Sequence, residues 1–208
     1  GFVLAFVIAA AAALARNSGN RLLRAVATCY VEAIRNTPVL LQIFIVYFAL
    51  PSVGIRMSAV VAGTIALGVN VGAYLAEVLR AGILAVPKGQ LEAAQILGLS
   101  RVAILLNVVA PQALRNVYPS IVNNLVQVLL GTSLLSTIAV PEITGAATVI
   151  NARTLLFVQV FGIAVGLYLV LSYGLSFAAS VVERYAFKPP IGKRALKRTL
   201  TFRTNGAR

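Results

Sequence analysis

The chain has 208 residues, 60% hydrophobic and 11% charged, with a mean hydropathy of +0.92; a soluble domain is about 45–50% apolar and about 25% charged, so the composition reads as an integral membrane protein. The net charge of +13 does not point to nucleic acid, because eight of the 18 Lys/Arg lie in 184–208, most others separate apolar runs, and no basic stripe is interleaved with aromatics. One cysteine (Cys29), no histidine and five glutamates (Glu32, Glu77, Glu92, Glu142, Glu183) exclude an intrachain disulfide, a His-based metal centre and His acid–base chemistry; no two glutamates share a short motif, so no catalytic and no metal site is expected.

The first apolar run, 2–15, makes roughly 21 Å of helix against a hydrocarbon core of about 30 Å. It lacks the basic leader and small-residue cleavage site of a signal peptide. It is expected to be a first span whose N-terminal part is missing. A second span is expected within the uncharged run 36–55, followed by a short turn on Pro51 and Gly54. A third is expected within 57–76, running on to about residue 80. A fourth lies within 116–141 and a fifth within 154–182. Complete runs reach the roughly 20 residues that a spanning helix needs, and helices satisfy their own backbone in lipid. The expected fold class is thus all-α, with about five transmembrane helices. Between spans three and four, Val102–Ala110 is a second apolar piece ended by Pro111. Its length, about nine residues, is too short to cross, so it is expected to be buried or to lie at the interface.

Basic residues set the orientation. Arg16, Arg21, Arg24 and Arg35 lie between spans one and two; Arg80, Lys88, Arg101 and Arg115 lie between three and four; eight more follow Glu183. The alternate loops hold only Arg56 and Arg153. This places the N-terminus outside and the C-terminus in the cytoplasm. Residues 1–186 read as one membrane domain and 187–208 as a basic, Pro-bounded cytoplasmic tail.

The stretch "VPKGQLEAAQILGLS" (86–100) interrupts this pattern. A helix is expected over Gln90–Leu97, with Glu92 in the first turn favouring the dipole and Gly98 at the position past the end that takes positive φ. Leu91, Ala94 and Leu97 can share one face, and Ala93 and Ala94 are small enough for close approach. So short a helix is unstable alone. It is either a capped cytoplasmic turn or a knob for a socket on a cytoplasmic partner.

Polar residues recur in the spans. Asn70, Tyr74 and Glu77 follow i, i+4, i+7; Asn124 and Gln127 share a face; Gly131, Thr132 and Ser133 offer a place for local unwinding that would expose carbonyls. Asn70, Tyr74, Asn124, Gln127, Thr132 and Ser133 are therefore candidate substrate-pathway residues. The competing reading is helix–helix hydrogen bonding, worth about 0.6 kcal/mol per pair, with close packing at Gly63, Gly68 and Gly72. Glu77–Arg80 and Glu32–Arg35 read as structural i,i+3 pairs.

"EAAQILGLSRVAILLNVVAP" resembles the EAA signature of ABC importer permeases: Glu92, Ala93, Ala94, then Gly98, then Val108, Val109, Ala110 and Pro111. "YVEAIRNTPVLLQIFIVYFALP", "AYLAEVLRAGILAVPKGQLEAAQILGLS", "PQALRNVYPSIVNN" and "TSLLSTIAVPEITGAA" resemble the polar amino-acid branch of histidine/glutamine type. The resemblance implies a type I ABC importer permease fold in a bacterial cytoplasmic membrane, working as a pair of like or sister subunits. It implies a coupling helix bearing Gln90, Glu92, Ala93, Ala94 and Gly98, seated on an ATP-binding subunit. It also implies an extracytoplasmic binding protein that delivers an amino acid. No GxxxxGK[ST] loop is present, so ATP and Mg belong to the partner and no cofactor is expected here. The family often has Lys-Asp or Lys-Asn before Thr-Ser-Leu, where this chain has Leu130 and Gly131; the carboxylate that would meet a cationic substrate is absent. Glu142 remains near the outer end as a contact for substrate or for the delivering protein. The alternatives are a permease for another small zwitterion, such as an opine or osmolyte, and a non-transporting membrane scaffold.

Overall fold

The structure, a computed structural model, describes residues 1–186; the basic tail expected at 187–208 lies outside them. The helices are α1 (Phe2–Arg16), α2 (Arg21–Arg35), α3 (Val39–Val53), α4 (Ala59–Leu84), α5 (Lys88–Ile96), α6 (Arg101–Ile138), α7 (Ile143–Thr154) and α8 (Phe157–Ala186). Among the described residues there is no β-strand. α4, α6 and α8 are each long and apolar enough to span a membrane; α2 and α3 together make a bent fourth candidate; α1 is apolar but has 15 residues.

α4 is the central helix, and small residues let its neighbours in. α1 runs alongside it in the same direction. Leu4 lies against Gly68, and Ala5 and Ile8 against Gly72, where an added Cβ would stand 3.2 Å from the Ala5 carbonyl oxygen. On another face α6 crosses at Gly82, where a Cβ would meet Val117 at 2.7 Å and the Ala113 carbonyl at 3.0 Å. Packing through bare backbone suits helices that have little hydrophobic drive to associate in lipid. Ala5, Ala9, Val31, Val71, Leu75 and Val117 share the resulting core.

α2 and α3 meet at a 106° bend. Pro38 causes it: the ring disfavours helical backbone at Thr37 and supplies no N–H, so Pro38 becomes the cap of a new helix. α3 then lies along α4, with Ile43 packed against Ala66 and Leu67. It is not uniform: Ile45–Ala49 is a wide π turn and Leu50–Val53 a tight 3-10 turn, closed by Gly54 at φ 88°.

Two sequence expectations change here. Val102–Ala110 is not a separate piece; it forms the first turns of a continuous 38-residue α6, buried on one side through Ile104 and Val109. Pro111 does not end the helix because the turn before it, Leu105–Val109, is widened to π geometry, which makes room for a ring that would clash in a regular turn. The expected fourth span, 116–141, is therefore the later part of a longer element. The loop after it also holds α7, set off from α8 by Leu155 at φ 55°.

Candidate functional site

α5 begins at Lys88, with Pro87 at its cap, two residues earlier than expected. Glu92 consequently sits in the second turn, and no acidic residue occupies the first; its expected dipole role is corrected. The C-terminal end is as the sequence predicts. Gly98 has φ +75°; its N–H donates to the Gln95 carbonyl at 2.9 Å and the Leu99 N–H to that of Ala94 at 3.2 Å. This is a Schellman cap, and it needs the left-handed residue. Ala94 is buried with Val86, Ile104, Val109 and Ala113, and Leu91 packs beside it. Leu97 does not join that face. Six residues carry it about a third of a turn away from Leu91, and it is 78% exposed beside Ile96 at 86%. Ala93, Glu92, Gln90 and Gly98 are also exposed. α5 thus holds to the bundle by one side and offers a small, partly apolar tip on the other.

Beyond this packing, a side-chain hydrogen bond ties α5 to α6. Gln112 donates through Nε2 both to the Gln90 side-chain oxygen and, at 2.8 Å, to the Val108 carbonyl in the π turn. The sequence reading singled out Gln90 but missed Gln112, since no local pattern links positions in separate helices.

The α4 stripe meets the α2–α3 elbow. Asn70 donates to Gln42 Oε1 at 3.0 Å, and Gln42 Nε2 in turn reaches the Ile34 carbonyl at 2.9 Å and Thr37 Oγ1 at 2.8 Å. Tyr30 donates to the Val69 carbonyl at 2.7 Å and Tyr74 to that of Arg35 at 3.4 Å. The Arg35 guanidinium lies 5.4 Å from the Tyr74 ring centre. Glu77 pairs with Arg16, with Arg80, and with Arg35 at 3.9 Å. Asn70, Tyr74 and Glu77 thus face a neighbouring piece of the same chain. The Glu77–Arg80 pair forms as expected. The Glu32–Arg35 pair does not; Arg35 turns to Glu77, and Glu32 accepts from Asn36 at 3.3 Å.

At the other end of α6, Thr132–Ile138 tightens into 3-10 helix at the place the sequence offers for local unwinding. Thr132 and Ser133 donate to the Leu129 and Leu130 carbonyls at 2.6 and 2.7 Å, and Ser136 and Thr137 repeat the pattern. The hydroxyls cover the carbonyls that unwinding would have bared. Asn124 likewise bonds its own helix at Ser120. Asn116, Asn123 and Gln127 are exposed and share one face of α6. Glu142 is partly exposed, on the wall of an open cleft beside α7. It caps α7, accepting from the Thr144 and Gly145 N–H groups, and takes the Tyr168 hydroxyl at 2.7 Å. Between α6 and α8 an open cleft of about 520 Å³ is lined by Leu130, Ser133, Tyr168, Ser172 and Ser176, with no carboxylate or basic group on its walls. Among the described residues no three His, Cys, Asp or Glu stand close enough to hold a metal.

The sequence family described as "Binding-protein-dependent transport system inner membrane component" matches residues 2–187. A putative glutamine transport system permease protein of Rickettsia conorii is 37% identical over 88% of this chain and 84% of its own length. An L-cystine transport system permease protein of Bacillus subtilis is 39% identical over 88% and 79%. A crystal structure of an amino acid ABC transporter superposes with a TM-score of 0.81 at 33% identity, covering 88% of this chain and 86% of that one. An inward-facing MetNI methionine ABC transporter shares the fold, with a TM-score of 0.75 at 18% identity. A match over nearly the whole described chain, joined to a docked, tip-exposed α5 and a bundle built on α4, leads to one conclusion: the chain belongs to the family of binding-protein-dependent transport system inner membrane components.

Proposed function

We propose that the chain is the membrane-spanning permease subunit of an ATP-driven importer for a polar amino acid with an uncharged side chain. A binding protein delivers the substrate outside, and ATP-binding subunits, which hold the ATP and Mg, drive the cycle from the cytoplasm. The permease works as a pair, with its N-terminus out and its C-terminus in. The observation that carries this reading is α5, a helix too short to stand alone, held by one side and presenting Ile96 and Leu97 to whatever docks there. The polarity is supported by the basic residues gathered at that end of the bundle: Arg16, Arg35 and Arg80 around Glu77, with Lys88 opening α5. Relatives named for glutamine and cystine transport support an amino acid, and Leu130 and Gly131, which place no carboxylate before Thr132 and Ser133, argue against a cationic side chain.

The test is reconstitution. The chain would be placed in liposomes with its ATP-binding subunit and binding protein. ATP-dependent uptake of neutral polar amino acids, with little uptake of arginine or lysine, is expected. An intact complex that hydrolyses ATP without accumulating any amino acid would remove the importer reading.

A further inference from the structure

α2 carries three faces rather than two. Ala27 and Val31 are buried against the bundle. Arg21, Arg24 and Glu32 lie on a second, charged face. The third is an apolar stripe at i, i+4, i+7, i+11: Leu22, Val26, Cys29 and Ala33. Leu22 is 72% exposed and Val26 61%, and Cys29 and Ala33 are exposed too; among the described residues nothing covers the stripe. The helix also has a defined direction and height. α3 lies along α4, so the 106° bend sends α2 across the bundle axis. Arg35 pairs with Glu77, the first charge in α4, and the Tyr30 hydroxyl reaches back to the Val69 carbonyl inside the apolar stretch, so α2 sits against the charged end of that stretch.

We propose that α2 lies in the plane of the membrane at the charged end of the bundle. The Leu22–Val26–Cys29–Ala33 stripe sinks into the acyl chains, and Arg21 and Arg24 rest on anionic headgroups. A helix with separated apolar and basic faces, held perpendicular to its spans at the edge of their apolar zone, fits the headgroup boundary. It does not fit water, where the stripe would be bare, and the arginines complement an anionic leaflet. The inference needs only that the chain spans a membrane, and its readout is independent of substrate and of ATP.

The single cysteine supplies the probe. The full chain, in vesicles of phosphatidylethanolamine and phosphatidylglycerol, would be labelled at Cys29 with an environment-sensitive fluorophore. Lipids brominated near the headgroup end of their chains should quench it strongly, and aqueous iodide weakly. Leu22→Gln with Val26→Gln should reverse that order. Each arginine beside an anionic leaflet is worth roughly a fivefold enrichment. Brominated phosphatidylglycerol should therefore quench in preference to brominated phosphatidylcholine, and Arg21→Gln with Arg24→Gln should lower that preference by at least about fivefold. Iodide quenching like that of free dye would place α2 in water and overturn the proposal. Protection from both quenchers, or no labelling at all, would show that protein covers the stripe and overturn it equally. An unchanged lipid preference in the double arginine variant would remove the headgroup contact.

Discussion

Gly98 shows how one residue fixes a docking element. Its φ of +75° is left-handed, and among the described residues nothing stands within 4 Å of an added Cβ, so within these residues only backbone strain opposes a side chain there. Left-handed backbone costs an ordinary residue about 1–2 kcal/mol, less for asparagine, which visits this region more often. Gly98→Val should therefore loosen the end of α5 in a protein that otherwise folds, and lower ATPase stimulation by loaded binding protein about tenfold; Gly98→Asn should retain most of it. Equal stimulation by the two variants would detach coupling from this cap. Glu77 is the other decisive single residue, since it faces three arginines from three helices. Glu77→Gln leaves the mostly buried Arg16 guanidinium, 12% exposed, without a carboxylate. Charged hydrogen bonds contribute about 1.5–3 kcal/mol, discounted for the partial exposure of Arg35 and Arg80. A loss of about 1–2 kcal/mol is expected, read as a lower thermal midpoint in detergent. The sequence announced Gly98 because positive φ has a residue signature. Glu77–Arg80 was legible for the same reason, since i,i+3 pairing is local, but Arg16 and Arg35 join only when α1, α2 and α4 are folded together.

Among the elements, the α2–α3 elbow and the α4–α6 crossing decide how the bundle is held. Asn70, Tyr74 and Glu77 form the stripe that their spacing predicts, and periodicity made it visible. What faces the stripe was not visible, because the 106° elbow that brings Gln42 and Arg35 to it depends on a proline break whose angle no sequence pattern sets. The sequence offered pathway lining and helix bonding as rival roles for Asn70, and among the described residues its side-chain partner is Gln42. A double-mutant cycle with Asn70→Ala and Gln42→Ala should give a coupling of about 0.6 kcal/mol, the usual size for such pairs in membranes, with substrate preference unchanged; altered substrate selection in Asn70→Ala would return that residue to the pathway. The α4–α6 crossing depends on Gly82. Gly82→Val would press on Val117 and on the Ala113 backbone, and overpacking of this kind costs about 1–3 kcal/mol. A drop in thermal midpoint is expected, whereas the same change at Gly89, where nothing lies within 4 Å, should be far milder. The missed length of α6 has a comparable cause: Pro111 reads as a terminator, and only a π turn, which has no sequence signature, lets the helix continue.

Across the whole molecule, α4 buries most of its apolar stretch while α6 and α8 leave nearly all of theirs open. For α8 lipid is an adequate neighbour, because the face is mostly apolar. For α6 it is not. Asn116, Asn123 and Gln127 stand exposed along one face of a spanning helix, and polar side chains in that position turn to protein or to water rather than to lipid. Composition and charge alternation made the membrane class legible from the outset, but a single chain's sequence does not say which face of a span meets lipid, since that face is set by the other helices. The geometry separates the pathway candidates accordingly: Asn70 is buried within the chain, Tyr74 bonds the α2–α3 elbow at Arg35, Thr132, Ser133 and Asn124 bond their own helix, and Gln127 alone of the six is exposed on the polar face of α6. In a Cys29→Ser background, Asn123→Cys and Gln127→Cys should react with a water-soluble maleimide, at a rate that changes several-fold when ATP and loaded binding protein are added. Asn70→Cys should stay unreactive throughout. Reaction of the α6 cysteines with lipid-soluble reagents alone, in every condition, would place that stripe against the bilayer and remove Gln127 from the pathway.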